Sequence, residues 1–220
     1  MIISVITPTY NRADSYLPEL ITSVVESVLD DDVILEHIIV DDASTDTTEQ
    51  LVKNFQSKYP HIIYLKNTTN LGLSKSRNVG LHQAKGELII DLDDDDVVPY
   101  YSINLRAKLL VQSNNKWLRG NAFQIDEQNQ LLNSENLISY PIENKWANFI
   151  GFYEGKIFAY SGSKIYYADC LRKIGGWNEK IRNTGEDLDM WLRFSYYFGY
   201  PYFCEIPLIF YRKNNKKYGH

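Results

Sequence analysis

Five carboxylates fall within six positions, Asp91, Asp93, Asp94, Asp95 and Asp96, at the end of an apolar stretch running from Glu87 to Leu92. Two like charges ~6 Å apart repel by ~3 kcal/mol at an effective dielectric of ~20, so acids crowded together destabilise a fold unless a cation compensates. Hard oxygen ligands with open positions suit magnesium or manganese, which can hold a substrate diphosphate at the same time. The run does not fit the calcium loop of an EF-hand, which needs a Gly at its sixth position and a Glu at its twelfth. Taken alone, it reads as a solvated acidic turn. Two further acidic clusters change its context: Asp41-Asp42-Ala43-Ser44-Thr45-Asp46, and Glu186-Asp187. Ser44 or Asp46 is expected to cap a helix while the earlier acids bind. Acids at positions 186 and 187 favour a helix N-terminus, where Asp187 can both cap and react.

The elements that must position these groups follow from periodicity. Ile2–Ile6, Glu36–Val40, Ile62–Leu65 and Glu87–Leu92 are short and rich in Ile and Val, the pattern of strands buried on both faces of a parallel sheet. Leu17, Leu20, Val24 and Val28 recur at helical spacing, with Pro18 near the helix start; Leu51, Val52 and Phe55 repeat the pattern. Alternating strands and helices imply right-handed βαβ units and a doubly wound sheet, whose ligands bind beyond the carboxyl ends of the strands. Thr7-Pro8-Thr9-Tyr10-Asn11-Arg12 and two of the acidic clusters fall at those ends. After Pro99 a helical pattern leads to a hairpin, Trp117–Ile125 with Leu131–Leu132, then helices over Ala168–Ile174 and Asp187–Phe198 and a strand near Leu208–Tyr211. The fold class is α/β in a single domain over 1–220, with a mixed α+β half from 99 onward.

Composition excludes several classes. The 220 residues carry 23 Lys and Arg against 28 Asp and Glu, a net charge of −5, so a basic face for nucleic acid is not expected. The N-terminus lacks a signal-peptide pattern and no run reaches the ~20 apolar residues of a membrane span. A cytoplasmic protein is expected, touching the inner face of a membrane at most peripherally. The aromatic run Phe194–Phe203 is assigned mainly to core packing. Cys170 and Cys204 read as buried free thiols, and His37, His61, His82 and His220 as surface or loop residues.

TPTYNR, VDDASTD, NLGLSKSRNVGLHQAKGELIIDLDDDD, IGGWNE and GEDLDMWLR resemble, in order and spacing, the inverting GT-A glycosyltransferases of family 2. The resemblance covers nearly the whole chain. It implies a Rossmann-like GT-A fold in which 1–98 binds a nucleotide sugar and 99–220 the acceptor. It places Thr7, Pro8, Tyr10 and Arg12 around the base and ribose, Asp42 with Asp41 at the uracil N–H, and Arg77 near the phosphates. Leu92-Asp93-Asp94-Asp95-Asp96 matches the DxD motif, with Asp93, Asp95 and Asp96 as metal ligands for Mn2+ or Mg2+. Asp94, at the x position beside the nucleotide, is expected to be solvated. Glu186-Asp187 matches the catalytic pair, with Asp187 as base and Arg193 as the basic residue of its helix. Gly176 and Trp177 border the acceptor, where Trp177 faces a sugar ring or packs in the core; Ser163 lies in a small-residue segment of the site. Some relatives carry a metal-binding His after a Tyr-Arg motif; here Tyr211-Arg212-Lys213 is followed by Asn214, and Lys213, Lys216 and Lys217 form a solvated basic tail or pair with phosphate.

The function implied is that of an inverting, hexosyltransferase-like enzyme, using a nucleotide-diphosphate sugar such as a UDP-sugar and a saccharide or lipid-linked saccharide acceptor. A metal-dependent nucleotidyltransferase would want a Gly-rich loop after the first strand, which TPTYNR lacks. A non-catalytic sugar-nucleotide-binding subunit would not need intact Asp93, Asp95 and Asp187.

Overall fold

The computed structural model describes residues 1–132, 142–157, 159–181 and 184–213. Seven strands, β1 (Ile2–Thr9), β2 (Ile34–Asp41), β3 (Ile62–Lys66), β4 (Leu88–Asp91), β5 (Trp117–Ile125), β6 (Lys164–Tyr167) and β7 (Tyr202–Arg212), form one sheet in the order β3-β2-β1-β4-β6-β5-β7. The pairs β1–β2, β2–β3, β1–β4 and β5–β7 are parallel, and β6 is antiparallel to both of its neighbours. The helices are α1 (Leu17–Val25), α2 (Thr48–Lys58), α3 (Leu73–Gln83), α4 (Ser102–Gln112), α5 (Lys145–Tyr153), α6 (Ala168–Lys173) and α7 (Glu186–Phe198).

Strand alternation divides the core between the two faces of the sheet. Ile3, Val5, Ile39 and Ile90 pack with Leu17, Leu20 and Val24 of α1, Val52 of α2 and Ile103 of α4. Ile6, Ile38, Val40 and Ile89 pack on the other face with Leu81 of α3, Phe152 of α5 and Met190 and Phe194 of α7. Each such side chain contributes about 1.5–3 kcal/mol by leaving water, which is why apolar residues dominate these strands, with Ser4 on β1 and Glu36 and His37 on β2 as buried polar exceptions. The chain winds outward through β1, β2 and β3 and then crosses back to lay β4 against the other edge of β1. That reversal opens a crevice beyond the carboxyl ends of β1 and β4, where TPTYNR and the acidic run emerge.

Several expectations need correction. The first helix ends at Val25; Val28 is exposed, and its N–H donates to the Tyr100 carbonyl instead of continuing the helix. His37 is neither surface nor loop. It is fully buried on β2 with Nε2 3.0 Å from Thr7 Oγ1, and burial together with the neighbouring His61 lowers its pKa to about 3. The hairpin is present as far as the described residues run: Leu131 bridges Ile125 antiparallel, and the Leu132 N–H donates to the Gln124 carbonyl. Phe194 is buried as expected, yet Tyr196 and Tyr197 are exposed, with Tyr196 6.2 Å from the exposed Trp146 ring of α5. Both cysteines are buried free thiols. Among the described residues no helix is long and apolar enough to cross a membrane.

Apolar periodicity passes over α3 because the face it buries is polar: Ser74, Ser76, Arg77 and Asn78 with Gly80 and Leu81. A Cβ at Gly80 would collide with the Ile6 side chain and sit 3.3 Å from Val40, so glycine lets this helix lie close on β1 and β2. That close approach carries Arg77 beneath the crevice.

Candidate active site

The start of α3 is fixed by Asp42, which follows β2. Its carboxylate accepts the Leu71 and Gly72 N–H groups at 2.8 Å each and the Asn67 side-chain amide at 2.8 Å. An anion there satisfies helix-terminal donors and suits the macrodipole. Further along α3, the guanidinium of Arg77 is fully buried and joins three elements. Nη2 donates to Asp93 Oδ1 at 2.6 Å and to Ser161 Oγ at 3.3 Å; Nη1 donates to Asp187 Oδ1 at 3.1 Å and to Glu186 Oε1 at 3.4 Å. Asp93 of the strand-end cluster and the acids at the start of α7, far apart in sequence, thus share one cation. These four bonds are made by Nη1 and Nη2, while the buried Nε–H meets no hydrogen-bond partner, so the guanidinium bridges these acids from beneath the turn.

The environment treats the two α7 acids differently. Burial alone would raise the Asp187 carboxyl, but Arg77 and then Lys164 outweigh it and hold it below the ordinary carboxylate range. Trp177 also lies beside Asp187, although its ring N–H makes no well-aligned hydrogen bond. Burial and repulsion from Asp187 raise Glu186 in spite of Arg77. Asp187 is therefore the more readily ionised member of the pair. It does not cap its helix: α7 begins after Gly185, at φ +93°, with no side-chain cap.

The acidic run turns sharply after β4. Asp93 keeps 29% of its side chain exposed beside its bond to Arg77. Asp94 is not solvated as expected: Thr9 Oγ1 donates to it at 2.7 Å, and Arg12 Nε lies 3.5 Å from its other oxygen. Asp96 is buried, with Oδ1 accepting the Arg212 N–H at 3.1 Å and Oδ2 meeting no hydrogen-bond partner. Burial and repulsion from Asp95 and Asp93 push the Asp96 carboxyl well up. Among the described residues no three His, Cys, Asp or Glu side chains converge as a closed metal cage. The chemistry nevertheless fits a hard divalent cation, because Asp96 Oδ2 is a buried acceptor without a donor and Asp93 is open beside it in the same turn. Such ions accept one or two protein carboxylates and complete their shell with phosphate oxygens and water.

The remaining expected site residues divide into open and enclosed. Tyr10 is 46% exposed just beyond the end of β1, and Arg12 is partly exposed two residues on. Pro8 is buried on β1, and Thr7 is buried against His37. Asp41 is fully buried, accepting the Ser44 N–H at 2.7 Å and the Tyr64 hydroxyl at 2.6 Å. Asp46 rather than Ser44 meets the start of α2, accepting the Thr48 N–H at 3.0 Å, while Ser44 Oγ accepts from the Asn11 N–H. Trp177 is 1% exposed, so it packs in the core and presents no face to a sugar ring. Gly176 is tied to α3: at φ +67°, a Cβ there would collide with Asn78, whose side chain bonds both the N–H and the carbonyl of Trp177 at 2.9 and 2.8 Å. Ser163 is also buried, its hydroxyl donating to the Tyr160 carbonyl at 3.0 Å. Arg193 is held by Asp189 at 2.7 Å and by the Ile174 carbonyl at 3.0 Å. Lys213 is exposed, whereas Asn214, Lys216, Lys217 and His220 lie outside the described residues.

Three further groups are central to the geometry in ways that their place in the sequence does not show. Asp91 is fully buried with both oxygens lacking hydrogen-bond partners, close enough to Lys164 and Arg77 to feel both charges. Lys164 is itself fully buried, donating to the Tyr160 carbonyl at 3.1 Å. Arg212 closes over the acidic turn from β7. Ser74, Arg77, Asn78 and Leu81 at helical spacing were the available signal for a buried polar helix face; for Lys164, in a four-residue strand, there was none.

Burial and its acidic neighbours push the Asp94 carboxyl from 3.8 up to about 7, against the pull of Arg12 and Thr9. An acid raised on folding binds more protons in the native state between those two values, so stability falls as pH rises across that window. In EDTA the melting temperature should therefore drop between about pH 4 and pH 7, and Asp94→Asn should flatten that dependence. Parallel melting curves across pH for wild type and variant would remove Asp94 from the account.

The sequence profile of glycosyl transferase family 2 matches residues 4–169. The chain is 27% identical over 197 residues to the uncharacterized glycosyltransferase MJ1057 of Methanocaldococcus jannaschii, covering 87% of this chain and 64% of the relative. In fold it is similar to the crystal structure of Staphylococcus aureus TarS 1–349 in complex with UDP-GlcNAc, with TM-score 0.76 and 22% identity, across 100% of this chain and 60% of that one. The mannosyltransferase PcManGT of Pyrobaculum calidifontis, in complex with GDP-Man and Mn2+, aligns with TM-score 0.71 and 19% identity over 99% of this chain and 58% of that one. The chain thus spans roughly three-fifths of the length of these matched chains, TarS being represented by its residues 1–349. With a doubly wound sheet, an acidic turn at its switch point and a family profile matched across most of its length, the chain belongs to glycosyl transferase family 2.

Proposed function

We propose that the chain is an inverting glycosyltransferase that moves a sugar from a nucleotide-diphosphate donor, a UDP-sugar, to a hydroxyl of a saccharide or glycoconjugate acceptor. The observation that carries this reading is Arg77, which bonds Asp93 and Asp187 at 2.6 and 3.1 Å from one buried guanidinium. A donor-side acid and an acceptor-side acid are thereby set on opposite flanks of a single charge. In this assignment 1–98 holds the nucleotide, with Tyr10 and Arg12 as its open contacts, and 99–220 faces the acceptor. The binding of UDP-GlcNAc by TarS and GDP-Man by PcManGT supports a nucleotide-sugar donor.

A carboxylate is far too weak a base to ionise a sugar hydroxyl in advance. Asp187 therefore acts late. As the acceptor oxygen bonds to the anomeric carbon and the bond to the diphosphate oxygen breaks, the hydroxyl proton becomes acidic and passes to an Asp187 oxygen. Arg77 keeps Asp187 charged until that moment, and burial limits competition from water. A divalent cation held by Asp93 and Asp96, with Asp95 adjacent, would offset the charge developing on the leaving diphosphate.

The enzyme is further proposed to be cytoplasmic, with Trp146, Tyr196 and Tyr197 as the face available for peripheral membrane contact. Recovery in the soluble fraction of a lysate is expected, and retention in carbonate-washed membranes would contradict it. UDP release from a panel of sugar nucleotides tests the central assignment. Release is expected with manganese and not in EDTA, and Asp187→Asn should lower kcat by ~10²–10⁴ with UDP affinity preserved. A product of retained anomeric configuration, or near-normal turnover in that variant, would overturn it.

A further inference from the structure

Arg212 stands outside the chemistry assigned above, yet it is the second fully buried guanidinium at the acidic turn. It leaves the end of β7 and binds three separate segments. Nε donates to the Asp95 carbonyl at 2.8 Å; Nη1 donates to the Asp126 carbonyl at 2.9 Å and to Asn129 Oδ1 at 2.6 Å; Nη2 donates to Glu19 Oε2 at 2.7 Å. Its plane lies over Tyr16, 4.4 Å from the ring centre. Asn129, at φ +64°, reaches Glu19 Oε1 with its own amide at 2.6 Å, closing a ring of contacts between α1 and the turn after β5.

The pattern of partners is selective. Arg212 lies beside four consecutive aspartates, yet its charged side chain touches that run only through the backbone carbonyl of Asp95, and its carboxylate partner is Glu19 on α1. Its own N–H takes Asp96 Oδ1, which leaves Oδ2 as the buried acceptor without a donor. Arg212 therefore fixes the path of the turn and lends it positive potential without closing the acids to a ligand. A planar fork with donors on three nitrogens can meet these partners together, and a lysine cannot.

We infer that Arg212 is a positioning residue, clamped by Glu19 and Asn129, that holds the Asp93–Asp96 turn in the shape that presents Asp93 and Asp96 to the divalent cation of the donor complex. The inference rests on the proposed metal-dependent function, and its test separates the two. Hydrogen exchange of the amides over 93–98 is measured in metal-free wild type, Arg212→Lys and Glu19→Gln, followed by titration of manganese in the presence of UDP by electron paramagnetic resonance. Glu19→Gln leaves Arg212 in place and loosens only its anchor, so it serves if Arg212→Lys does not fold. Faster exchange confined to the turn is expected in the variants, with manganese affinity lowered about tenfold in Arg212→Lys, a usual cost for losing a group that orients metal ligands, and by less in Glu19→Gln. Unchanged exchange at the turn in the folded variants overturns the inference, whether or not wild type binds manganese. So does unchanged manganese affinity where wild type binds it. Failure of wild type to bind manganese with UDP would instead sink the metal-dependent function while the exchange data still decide what Arg212 does.

Discussion

A fully buried guanidinium must find anions, and around Arg77 that requirement organises the site. Removing one partner of a buried ion pair typically costs about 3–5 kcal/mol, because the charge left behind cannot be hydrated. Arg77 can be satisfied only if the turn after β4, the short turn at Ser161 and the first residues of α7 all arrive together. The surrounding contacts serve that convergence. Asp42 sets where α3 starts, Gly80 lets α3 lie close to the sheet, and Asn78 ties the Gly176-Trp177 turn to the same helix. Several residues of family-like motifs therefore act on the architecture, and only a few side chains face the crevice.

Charge is distributed unevenly in consequence. Asp187 has both Arg77 and Lys164 nearby and stays ionised, whereas Asp94 and Asp96 are buried with too little positive charge and resist ionisation. Arg212 adds to the potential at the turn but is committed to a backbone carbonyl and to Glu19. This imbalance gives a divalent cation and a diphosphate a physical reason to bind together: the cation supplies charge that the turn lacks, and the acids supply ligands that the diphosphate leaves vacant.

Most of the sheet was legible because buried parallel strands read as short runs rich in Ile and Val, and the clusters at their ends stood out by composition. The same logic fails for α3, whose inner face carries Ser74, Ser76, Arg77 and Asn78, and for β6, which is short and opens with the buried Lys164. At the site, sequence located the acids but not their surroundings. Nothing in the acidic run distinguishes Asp94, drawn toward Thr9 and Arg12, from the more open Asp93. Nothing in GGWNE tells a buried Trp177 from an exposed one, because that depends on how closely Asn78 draws the turn onto α3. The link between Arg77 and residues 186 and 187 is a long-range ion pair, visible only once the chain is folded.

The claim on which all of this turns is that Arg77 holds Asp187 ionised within an enclosed site. A carbon-detected NMR titration of the Asp187 side-chain carboxyl, in wild type and in Arg77→Met, measures it directly. The carboxyl is expected to titrate below the ordinary carboxylate range in wild type and to move upward in the variant, where Lys164 is left to oppose burial without Arg77. The same midpoint in both proteins would show that Asp187 does not depend on Arg77, and would contradict the account.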